Sequence, residues 1–98
     1  MFVIFDKDTE IERSIPMAFM NEQPMVNKMT CDIAIKVTKS SDIPDLSQFK
    51  DHPTFETIDV VNEDGITLPL MGNYSKITSL YANYSDIEKV YSIGMAVE

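Results

Sequence analysis

Asp6, Asp8 and Glu10 alternate along the chain, and oxygens spaced in this way could converge on a hard cation such as Ca²⁺. The stretch lacks the turn glycine and the distant glutamate of an EF-hand, and a solvated surface turn accommodates the three carboxylates equally well. No metal is expected there. His52, the only histidine, stands between Asp51 and Pro53, where acid–base chemistry would need a nucleophile or substrate within hydrogen-bonding reach. Cys31, the only cysteine, could supply a thiol, but it falls on the apolar face of the clearest strand pattern, where a buried, unreactive thiol is the usual outcome. Carboxylate pairs of the glycosidase kind are available among 16 acids, yet availability decides nothing, since that chemistry depends on separation and a cleft. Glycine occurs only at 65, 72 and 94, so no glycine-rich phosphate loop can be assembled. The absence of tryptophan and the single arginine remove common stacking and carboxylate-gripping groups. No catalytic residue and no cofactor are expected, and a small hydrolase using His52 or Cys31 ranks last among the readings.

Side chains suited to contact rather than catalysis are the larger oddity. Met17, Met20, Met25 and Met29 cluster within thirteen residues, and flexible thioethers serve either adaptable contact surfaces or irregular gaps in a core. All four tyrosines, Tyr74, Tyr81, Tyr84 and Tyr91, fall in the C-terminal third. Tyrosine buries a large ring while keeping a polar tip, which suits protein–protein contact, although cross-strand pairing on an ordinary sheet uses it equally well. Tyr74, Tyr81, Tyr84, Tyr91, Met17 and Met20 are therefore the candidate partner-binding set.

Charge narrows the partner. Sixteen acids against eight bases give a formal charge of -8, the wrong sign for a chain that neutralises phosphates, so direct nucleic-acid binding is not expected. Residues 1–65 hold 13 acids and 6 bases, a net of -7, and residues 66–98 hold 3 and 2, a net of -1. The nearly neutral third must be covered within the chain or by something else. An acidic inhibitor or nucleic-acid mimic occupying a basic groove is the alternative use of the charge. One cysteine excludes an internal disulfide and a cysteine-based zinc site. No segment approaches the apolar length of a membrane span, and Met1–Phe5 lacks the basic stretch, long apolar run and cleavage site of a secretory signal. The expectation is a cytoplasmic protein, or one carried within a particle, with no membrane partner.

The elements that position these residues are mostly strands. Phe2–Phe5 is β-branched and aromatic, and a turn at Asp6–Asp8 leads to a weaker strand over Thr9–Arg13. From Thr30 to Thr38, Cys31, Ile33, Ile35 and Val37 share one face and Asp32, Lys36 and Thr38 the other. Phe55–Val61, the Asp64-Gly65 turn signal and Ile66–Leu70 read as a hairpin, with Pro69 placing the returning arm on a sheet edge or at a bulge. Gly72-Asn73 marks a turn, Tyr74–Tyr81 has strand composition, and after Ala82-Asn83 a last strand aligns Tyr91, Ile93, Met95 and Val97. Gly94, on the opposite face, marks a bulge or a close backbone approach. Met17–Met20 and Met25–Met29 fit a short helix, a loop or a distorted strand. Ile43, Leu46 and Phe49 are spaced for a short helix near 42–51, with Ser41 or Asp42 as cap and Pro53 enforcing a stop.

Six or seven short strands and one helix predict a mainly β, single domain over 1–98, a compact antiparallel barrel or sandwich. This make-up, without targeting signal or catalytic motif, resembles the small accessory particle proteins and host-defence inhibitors of bacteriophages. The expected function is a protein-binding or assembly module that meets a protein partner or copies of itself.

Overall fold

The structure, a computed structural model, describes all 98 residues, Met1–Glu98. It is mainly β, with eight strands, one short α-helix and only antiparallel pairings. One sheet has the order β2-β1-β5-β6, built from β1 (Phe2–Phe5), β2 (Arg13–Pro16), β5 (Ile58–Val61) and β6 (Thr67–Leu68). The other has the order β3-β4-β8-β7, built from β3 (Phe19–Met25), β4 (Lys28–Val37), β7 (Ile77–Ser85) and β8 (Val90–Val97). Apolar residues from both sheets form one buried cluster, so the architecture is a sandwich.

Period-two alternation generates the core. Val3 and Phe5, Ile15, and Val60 point inward from the first sheet; Cys31 and Ile33, with Ile93, Met95 and Val97, answer from the second. Helix α1 (Ser47–Asp51) drops Phe49 into the same cluster, edge-on to Phe5 at 5.4 Å between ring centroids, and Phe55 meets Phe5 at 4.9 Å. The chain passes between sheets at Met17 and Ala18, whose backbone N–H groups donate to the carbonyls of Met1 and Ala34 respectively. The methionine-rich stretch thus resolves into a hairpin: β3 and β4 flank a turn at Val26-Asn27, with Asn27 in the left-handed region.

Several boundaries depart from the sequence reading for local reasons. Pro44 disfavours helical geometry at Ile43, which is extended, so the expected 42–51 helix divides into a 3₁₀ turn at Ser40–Asp42 and α1. Neither Ser41 nor Asp42 caps α1. The N-cap is Leu46, which offers no side-chain bond; Asp45 just before it accepts bonds from the Ser47 backbone N–H at 3.0 Å and its hydroxyl at 2.6 Å. Thr9–Glu12 is loop, and the second strand begins only at Arg13. The strand expected at Tyr74–Tyr81 lies at Ile77–Ser85 instead, and it continues through Ala82-Asn83. The reversal comes at Asp86–Lys89, where Lys89 takes a left-handed conformation and donates its N–H to the Ser85 carbonyl. The bulge falls at Thr78 rather than opposite Gly94.

Candidate protein-binding edge

Asp6, Arg13 and Glu22 are spent on structure. Asp6 and Arg13 form a buried ion pair at 2.8 Å. The other Asp6 oxygen accepts the backbone N–H groups of Glu56 and Thr57, while Arg13 donates to the carbonyls of Ile11, His52 and Thr54. Burial pushes the Asp6 carboxyl up, but those N–H groups and the guanidinium outweigh it, leaving the pKa below the ordinary carboxylate value. Asp8 and Glu10 remain exposed on the loop, and the three acids do not converge. Cys31 is buried on the inner face of β4; burial, with Glu22 and Asp32 nearby, raises its thiol to about 11. His52 is exposed after α1, and no hydrogen bond joins it to Cys31. Glu22 is a latch: its carboxylate accepts the N–H groups of Met71 and Gly72 and the Tyr74 hydroxyl, the last at 2.9 Å.

The candidate contact residues separate. Met17 is 3% exposed and Tyr74 6%, so both belong to the core instead of a surface. The tyrosine is drawn in by its bond to Glu22, and burial together with that carboxylate raises its pKa. Met20 packs partly buried against the core from β3. Tyr81, Tyr84 and Tyr91 lie on β7 and β8 but share no single face. Tyr84 and Tyr91 are register partners with ring centroids 4.7 Å apart, whereas Tyr81 is three residues from Tyr84 and points to the other face.

On that outer face a row runs across all four strands: Phe19, Ala34, Gly94 and Tyr81. Tyr81 leans over Gly94 so closely that a Cβ there would stand 2.3 Å from the ring, which is why a glycine occupies a central strand. Phe19 at the opposite edge is 55% exposed, beside an apolar depression of about 430 Å³ lined by Ala18, Phe19, Ala34, Ile35 and Lys36.

The four sheet edges are unequal. Edge strands present unpaired N–H and C=O groups, and proline or charge blunts them. β2 has four residues with Pro16 and Arg13, β3 contains Pro24 and Glu22, and β6 has two residues followed by Pro69. β7 has nine residues with neither proline nor charge. Its backbone polarity can be read directly. Lys76 and Glu98 exchange both backbone bonds, while the Ile77 N–H turns outward to the Pro53 carbonyl. Counting along β8, the residues facing β7 are Ala96, Gly94, Ser92 and Val90, opposite Ser79, Tyr81, Asn83 and Ser85. Leu80, Ala82 and Tyr84 therefore direct their N–H and C=O groups away from the sheet, where no strand lies beside them. Sequence reasoning missed this edge because it ended the strand at Tyr81; the lack of charge or proline from Ile77 to Ser85 was the available signal.

No family model, curated protein or solved structure matches the chain. No helix is long and apolar enough to cross a membrane.

Proposed function

We propose that this chain is a non-enzymatic protein-binding or assembly module that takes up a partner strand along the outward edge of β7. The observation that carries the reading is the inequality of the edges: three are short or carry proline and charge, and the fourth is long, uncharged and proline-free. Strand addition supplies main-chain hydrogen bonds at Leu80, Ala82 and Tyr84. Half-exposed Tyr81 and Tyr84, on opposite faces, add aromatic area above and below the incoming strand. The neutral edge also spares a partner the repulsion that a chain of net charge -8 would otherwise exert on acidic proteins.

The test is a photo-reactive side chain at Asn83, irradiated in the cells that make the protein, with and without Ala82→Pro. Proline at 82 removes an outward N–H and leaves the bonds to β8 in place. A discrete protein cross-link that falls at least about tenfold with Ala82→Pro is expected, that factor corresponding to one lost interfacial hydrogen bond or more. No discrete cross-link, or one that Ala82→Pro leaves intact, contradicts the reading.

A further inference from the structure

We infer that the partner strand at this edge is β7 of a second copy, paired antiparallel about a two-fold axis at Tyr81; the inference rests on the edge-binding reading above. An antiparallel self-pair must juxtapose outward-facing residues with outward-facing residues. A centre at Tyr81 meets that condition, because Leu80 of one copy then exchanges both backbone bonds with Ala82 of the other, and both are outward-facing. Tyr81, Ser79 and Asn83 fall at the wide, non-hydrogen-bonded positions between them.

Charge favours the same arrangement. Self-association of a chain with net charge -8 is opposed unless the contact is neutral or complementary. Ile77–Ser85 holds no charge, and the flanks differ in sign: Lys76 precedes the strand, Asp86 follows it, and Asp86 has no ion pair within the chain. Pro53 and Thr54 already lie against the outward side of β7 at Ile77 and Lys76, so with Tyr81 at the centre the pairing runs over Thr78–Tyr84 of each copy and Asp86 emerges beside that cover. Lys50 stands at the same end, lining a groove of about 170 Å³ with Phe49, Pro53 and Ile77–Leu80. Each hairpin tip, Asp86–Lys89 with its almost fully exposed Ile87, is thereby carried toward the other copy's Lys50 and Pro53. The pairing consumes both open edges and joins two four-stranded sheets into one of eight, leaving outer edges that carry Pro24.

Sedimentation velocity on the full chain, from ~1 to ~100 µM to bracket a contact of this modest size, reads the stoichiometry. The wild type is expected to pass from monomer to dimer, and Ala82→Pro to remain monomeric. Register is read by disulfide trapping, since wide antiparallel pairs bring Cβ atoms within bonding reach. Ser79→Cys mixed with Asn83→Cys should form a mixed disulfide under mild oxidant, and neither variant alone should do so; buried Cys31 stays out of the exchange. A wild type monomeric throughout the range overturns the self-pair while leaving the edge reading to its own cross-linking test. A dimer that survives Ala82→Pro, or one whose mixed cysteine variants do not join, overturns it as well. Should Ala82→Pro fail to fold, the disulfide result decides.

Discussion

The Tyr81 ring lies on the bare backbone of Gly94, its register partner across β7 and β8: a Cβ at 94 would meet its Cζ and Oη at 2.3 Å. The ring replaces the side chain that glycine lacks and keeps a central backbone buried. Gly94→Ala must displace it, so this substitution should cost about 1–3 kcal/mol in urea unfolding, the usual range for overpacking. In a Tyr81→Ser background the same substitution should be neutral or stabilising, because alanine fits a strand better than glycine. Additive effects in the double-mutant cycle would contradict the packing account.

Asp6 and Arg13 set the acid limit of the fold. Folding lowers the Asp6 pKa below its ordinary 3.8, so the unfolded chain takes up the proton more readily. The resulting stabilisation is complete above the unfolded value and is lost as pH falls through the depressed folded one. Asp6→Asn leaves a buried guanidinium without its counter-charge and should cost about 3–5 kcal/mol at neutral pH. Unfolding free energies measured from pH 7 downward should fall less steeply in this variant than in the wild type.

Cys31 should be silent toward a thiol reagent at pH 8 in the folded chain. It is 1% exposed, and its pKa of about 11 leaves little thiolate. One equivalent should react once urea unfolds the chain. Rapid reaction in the native state would place the thiol somewhere other than the inner face of β4.

Glu22 holds the 71–74 segment against β3 through three donors. Tyr74→Phe removes one of them and should cost about 1–2 kcal/mol, the range for a hydrogen bond to a charged group, without moving the core ring. Glu22→Ala releases all three and should cost more. Equal costs in urea unfolding would mean that the backbone donors contribute nothing.

Legibility in the sequence followed the range of the interaction involved. The β4 alternation from Cys31 to Val37 and the Ile93, Met95 and Val97 face of β8 were readable because one buried face imposes a period of two. The Asp64-Gly65 turn was readable because Gly65 needs positive φ, and it has it, at 78°. The Asp86–Lys89 turn was not, since it contains no glycine and its left-handed residue is a lysine. Tyr74 illustrates the deeper limit: its composition suits a surface, and only a bond to Glu22, 52 positions away, draws it inward. The same distance dependence hid the separation of Tyr81 from Tyr84, which rests on where β7 ends and how it pairs.

Amide hydrogen exchange resolved by residue in β7 tests the central claim most directly, comparing the dilute chain with its assembled state. Leu80, Ala82 and Tyr84, whose N–H groups point away from β8, should exchange freely when dilute and slow markedly on assembly. Ser79, Tyr81 and Asn83 should be protected in both states, and β3 should not change. Unchanged exchange at 80, 82 and 84, or protection appearing at β3 instead, would contradict the assignment of β7 as the docking edge.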